Sequence, residues 1–202
     1  MNSRDIAVYL REAETQCRLS LGACIALNNA MNASSKNEDG TQNWERFRYI
    51  HGEVFRSIHS LLTHASNISR LFWPPIGRGK NGAKKEERGR ILRERVGLPN
   101  ENHPLKKRTL RDHLEHFDER IDSWRETSAR KNYAQDLIGP QNMIQGLDPA
   151  DMMRWYDPDR KRFMFRGEEF DMQELVSAIN ELLPTLNKAA EAAETELRGR
   201  KS

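Results

Sequence analysis

Two long segments, Arg4 to Met31 and Trp44 to Phe72, repeat apolar side chains at spacings of three and four. A chain with such stripes can bury them only as amphipathic helices packed against partners. Ile6, Leu10, Ala13, Cys17, Leu21, Cys24 and Leu27 line the first. The second carries Phe47, Ile50, Val54, Ile58, Leu61/Leu62, Ala65, Ile68 and Leu71/Phe72. Ser3 and Asp5 are start signals for the first helix, Met31 to Thr41 is a polar connector, and Pro74-Pro75 ends the second helix.

Farther on, Gly77 to Ala83 reads as a basic loop, and a short helix from Glu86 to Val96 stops at Gly97. A helix from Leu105 to Arg125 is expected next, with Leu110, Leu114, Phe117, Ile121 and Trp124 as its core-facing stripe. Lys131 to Leu147 is irregular, and Asp148-Pro149 opens a short helix reaching Trp155. Arg162 to Arg166, Gly167 and Glu168 to Asp171 form a β-hairpin. The last helix runs from Met172 to Leu197, with a kink or break at Pro184. The fold expected is all-α: an up-and-down bundle of about four long helices with a small β-hairpin before the C-terminal helix. It is read as one domain over 1–202, with core helices in 4–125 and the hairpin and last helix, 160–198, as an extension.

The 202 residues suffice for a sizeable core, and no apolar run approaches the ~20 residues of a membrane span. The N-terminus lacks a signal-peptide pattern, so a cytoplasmic protein without membrane partners is expected. Cys17 and Cys24 are seven apart on one helix, too far for a disulfide, and are read as small core residues. His51, His59 and His64 do not share a face at ligand spacing, and no His-Glu-x-x-His or Cys-x-x-Cys occurs. Neither a metal nor another cofactor is expected. The four tryptophans read as core or rim anchors. Asp118, Glu119 and Asp122 read as solvated charge.

The net charge of +3 conceals an asymmetry. Twelve Lys/Arg and four Glu lie between Arg78 and Arg111, giving +8 there and leaving −5 elsewhere. Lys84, Lys85, Lys106, Lys107 and Arg108 in this run are the candidate contacts to a polyanion such as RNA, although a solvated loop has the same composition. The run leads into Arg111-Asp112-His113-Leu114-Glu115-His116. An arginine can hold a phosphate, and a histidine can move a proton near neutrality. On a continuous helix the two would lie about 140° apart around the axis, which favours a site shared across a symmetric dimer. Arg111 could equally pair with Glu115, His116 could be a surface histidine, and His113 reads as a packing residue.

Arg111-Asp112-x-x-x-His116 resembles the Arg, polar, any three, His signature of HEPN domains, a helical superfamily of prokaryotic toxin–antitoxin and antiphage systems. The resemblance covers residues 4 to 125. It implies a metal-independent RNA endonuclease in which His116 is the general acid or base, Arg111 holds the scissile phosphate and Asp112 orients one of them. Attack by the 2′-hydroxyl would leave a 2′,3′-cyclic phosphate. The partners implied are RNA, a second copy with the site at the interface, and an antitoxin or other defence protein. The alternative is a catalytically silent HEPN-like module that binds RNA or nucleotide, or mediates protein association.

Overall fold

The computed structural model describes residues 1–75, 80–107 and 116–199. Most of these residues are helical, and a small four-stranded sheet precedes the C-terminal helix. Among the described residues the α-helices are α1 (Ser3–Asn32), α2 (Trp44–Phe72), α3 (Lys80–Val96), α4 (Phe117–Thr127) and α5 (Met172–Gly199). None is long and apolar enough to cross a membrane. Contacts divide the chain into two units, 1–107 with 177–202, and 108–176.

In the first unit α1 and α2 form the most extensive helix pair, and most of the stripes read from the sequence forms its core, whereas Phe47 is exposed and Leu21, Cys24, Ile50 and Leu71 are only partly buried. Ile6, Leu10, Ala13, Cys17 and Leu27 of α1, and Val54, Ile58, Leu61, Ala65, Ile68 and Phe72 of α2, are all buried. Asn2, rather than Ser3, caps α1. Its side chain accepts from Asp5 N–H at 2.9 Å, and the Asp5 carboxylate accepts from Asn2 N–H at 3.3 Å. Ser3 is buried and donates to Glu196 Oε2 at 2.7 Å. Near it, Arg11 forks onto both carboxylate oxygens of Glu194 at 2.9 and 3.2 Å and reaches Glu14 at 2.8 Å. No disulfide joins Cys17 and Cys24, and burial pushes the Cys17 thiol up to about 12.

The arrival of α3 completes the end of α2. A helix leaves its last carbonyls without internal partners. Here Arg88 donates to the Arg70 carbonyl at 2.9 Å, and Arg93 donates to that of Phe72. Gly89 is buried at this approach. The sequence placed residues up to Ala83 in a loop and began the helix at Glu86, but α3 starts at Lys80. Gly82 and Gly89, seven apart, are both buried, and the close approach of the α2 end at Gly89 is packing that overrides glycine's poor helix propensity. Beyond α3, Trp73 stacks on His103 with ring centroids 5.1 Å apart and donates from Nε1 to the Asn100 carbonyl at 3.1 Å.

The second unit contains α4 and a sheet ordered β1 (Leu137–Ile138), β2 (Trp155–Asp157), β3 (Arg162–Phe165) and β4 (Glu168–Asp171). β1 pairs parallel with β2, while β2–β3 and β3–β4 are antiparallel. The hairpin expected at 162–171 is present, turning on Arg166 and Gly167 with φ of 48° and 82°. The short helix expected up to Trp155 is instead a 3₁₀ turn over Pro149–Asp151, capped as expected by Asp148. It stops because the next residues pair: Met152 bridges Ala134, and Trp155 and Tyr156 pair with Leu137 and Ile138. Met152, Trp155 and Met164 form a buried cluster against Leu137 and Leu147. α5 runs through Pro184 without a break.

Candidate functional site

The segment expected as one helix from Leu105 to Arg125 is not one. Pro104–Lys106 is a 3₁₀ turn capped by His103, whose Nδ1 accepts from Leu105 N–H at 3.3 Å. Lys107 leaves that turn in an extended conformation, and α4 starts only at Phe117. His116 has φ −108° and ψ 40° and stands at the N-cap position, outside the helix. Arg108, Arg111 and Asp112 lie outside the described residues, as does His113.

No residue of α4 is buried, and Phe117 is 58% exposed, so its apolar stripe is not a core face. Polar ties within the unit hold the helix instead. Trp124 Nε1 donates to the Asn132 carbonyl at 2.7 Å, and the indole meets the Tyr133 ring edge-on at 4.9 Å. Arg166, in the β3–β4 turn, donates from Nη1 to the Arg120 carbonyl at 2.8 Å. The hairpin read as an extension thus supplies one of the ties on the helix that follows His116.

Glu119, read from the sequence as solvated charge, faces the imidazole. His116 Nδ1 lies 3.3 Å from Glu119 Oε1, with both side chains more than half exposed. Glu119 holds the third helical position, from which an acidic side chain can reach back to the N-cap backbone N–H; here no side-chain cap bond forms and the carboxylate lies beside the imidazole instead. A histidine recognised as an N-cap would have pointed to it. An imidazole with one nitrogen facing a carboxylate and the ring open to solvent can accept or release a proton. Around it Asp118, Glu119 and Asp122 are acidic, and α4 also carries a cation, Arg120, a turn on from His116, whose carbonyl accepts the Arg120 N–H at 3.2 Å.

Of the cationic candidates, Lys106 is half-buried in the 3₁₀ turn and Lys107 is exposed just after it. Lys84 and Lys85 are exposed on α3. They line an open groove of about 580 Å³ in the first unit, together with Asn81 and Arg88 of α3 and a face of α1 bearing Arg4, Asp5 and Tyr9. Both walls follow helical spacing: 81, 84, 85 and 88 on α3, and 4, 5, 8 and 9 on α1. The Arg88 guanidinium lies over the Tyr9 ring, 5.2 Å from its centroid. The charge run pointed to the α3 wall. Arg4 and Tyr9 could not be read from it, because they come from a distant helix whose polar face looked merely wet.

Among the described residues no three His, Cys, Asp or Glu side chains gather as a metal site would require. Compared with known proteins, the chain matches no family model, no curated protein and no solved structure.

Proposed function

We propose that this chain is a metal-independent RNA endonuclease of the HEPN type, acting as a homodimer in toxin–antitoxin or antiphage defence. The observation that carries the reading is the solvent-open imidazole of His116 facing the Glu119 carboxylate, five residues after Arg111. In this reading His116 takes the proton of the ribose 2′-hydroxyl, and the freed oxygen attacks the adjacent phosphorus. The bond from phosphorus to the 5′-oxygen breaks, and that oxygen takes a proton from the second copy's imidazolium. Arg111 neutralises charge on the non-bridging oxygens, and Asp112 orients Arg111 or His116. Water is not consumed, and the products are a 2′,3′-cyclic phosphate and a 5′-hydroxyl.

A second reading, a silent module that binds RNA, is favoured by a separate observation: the exposed cations of α3 owe nothing to His116. One experiment separates the two. Labelled RNA incubated with chelator and wild-type protein is expected to yield cyclic-phosphate ends, and His116→Ala should lower the rate by about 10²-fold or more. Undiminished cleavage by the variant, or none by the wild type, overturns the ribonuclease reading. Binding without cleavage supports the module. Light scattering should give twice the chain mass if the site is shared between copies.

A further inference from the structure

The cations of the basic stretch fall into two populations. Arg90 pairs with Glu94 at 2.7 Å, Arg95 with Glu196 at 2.7 Å, and Arg93 donates to the Phe72 carbonyl. These arginines hold the fold together. Lys84 and Lys85 have no ion pair among the described residues, nor has Arg4 across the groove from them. Arg88, already held by the Arg70 carbonyl and the Tyr9 ring, adds a fixed charge and makes four cations against one carboxylate, Asp5, which is itself engaged in the cap of α1.

We propose that this groove is a contact site for the phosphodiester backbone of an RNA strand, with Arg4, Lys84, Lys85 and Arg88 meeting the phosphates. It rests on RNA being the ligand, and not on cleavage at His116. Three features favour a backbone over a base or a small enclosed ligand. The groove is open to solvent rather than an enclosed cavity, so an extended strand can lie against it. Arg88 already covers a face of Tyr9, which removes that face as a stacking platform. The free charges sit on long, flexible stems, which suit phosphates at varying register rather than one fixed geometry. Glu86 and Glu87 do not line the groove, so the neutralising charge of this stretch falls outside it. The site is expected to be indifferent to sequence and sensitive to salt.

The test uses full-length His116→Ala protein, so that the RNA stays intact, and follows a labelled single-stranded RNA by fluorescence anisotropy across a salt series. Lys84→Gln/Lys85→Gln is compared with Lys36→Gln/Lys188→Gln, which removes the same charge from positions outside the groove. The groove pair is expected to weaken binding and flatten the slope of log affinity against log salt by about 1.4, at roughly 0.7 per phosphate contact for a single strand. Adding Arg4→Gln should bring the loss to about 2 on the same scale. Equal effects of the two pairs would mean that only net charge matters and would overturn the site. So would an absence of RNA binding, or a groove pair that loses adhesion to phosphatidylserine vesicles while binding RNA normally. If wild type cleaves RNA and the groove pair binds it undiminished, the groove fails and the ribonuclease reading stands. If the groove pair loses RNA and no cleavage is ever seen, the groove stands and the ribonuclease reading fails.

Discussion

A methyl group on Gly89 would lie 2.6 Å from both the Phe72 carbonyl oxygen and Pro74 Cδ, closer than real Cβ contacts come, and both atoms belong to stiff parts of the chain. α3 would have to lift off the end of α2, weakening the bonds by which Arg88 and Arg93 satisfy the Arg70 and Phe72 carbonyls. Gly89→Ala is therefore expected to destabilise the protein by about 1–2 kcal/mol, the overpacking outweighing the helix propensity that alanine adds. Gly52, inside α2, is the opposite case, since a methyl group there would meet nothing within 4 Å. Gly52→Ala should raise stability by up to about 1 kcal/mol. Urea midpoints of the two variants should move in opposite directions; movement in the same direction would refute the close approach of α3. At this scale the candidate site was half legible. The order of Arg111, Asp112 and His116 is visible in the sequence, but the role of Glu119 depends on His116 being an N-cap, and nothing in the spacing marked the helix start there.

Among the elements, the stripes of α1 and α2 were readable because each helix buries one continuous face, so periodicity alone locates it. α3 was less readable, since its packing face is partly glycine, and β1 and β2 less again, since only tertiary pairing makes strands of such short runs. The tryptophans show the limit of reading burial from residue type. Trp155 is fully buried at the start of β2 and donates to the Gly139 carbonyl at 2.6 Å, whereas Trp44 opens α2 at 66% exposure, against the expectation that all four are anchors. Trp44 meets Phe47 edge-on at 5.9 Å, and Phe47 is itself 42% exposed. Trp155→Ala is expected to cost about 3–5 kcal/mol by emptying the centre of the sheet cluster. Trp44→Ala should cost less than about 0.5 kcal/mol, as exposed substitutions do. Denaturant titrations of the two single variants check this, and comparable losses would show that Trp44 is covered in solution.

For the molecule as a whole, the displaced carboxylates and His103 all act in one direction as pH falls. His103 is half-buried against Trp73, and its Nδ1 accepts the Leu105 N–H; burial holds its pKa below the ordinary value, with Glu181 acting weakly the other way. An unfolded chain takes up this proton near about pH 6.5 while the folded one resists, so the stability His103 supports is present above about 6.5 and lost as pH falls through the lower folded value. Hydrogen bonds from Arg18 and Arg11 hold Glu14 below the usual carboxylate range, and Arg11 does the same for Glu194. Their contribution is present above about pH 4.3 and lost as pH falls through their lower folded values. The thermal midpoint of the helical circular-dichroism signal should therefore be level above about pH 7, decline in a first step below about 6.5, and decline again below about 4. His103→Asn keeps an oxygen to accept the Leu105 N–H but has no proton to bind, so it should abolish the first step and leave the second. Glu14→Gln with Glu194→Gln should shrink the second and leave the first. A first step of wild-type size in His103→Asn would assign it to another histidine and refute the account of the 3₁₀ corner.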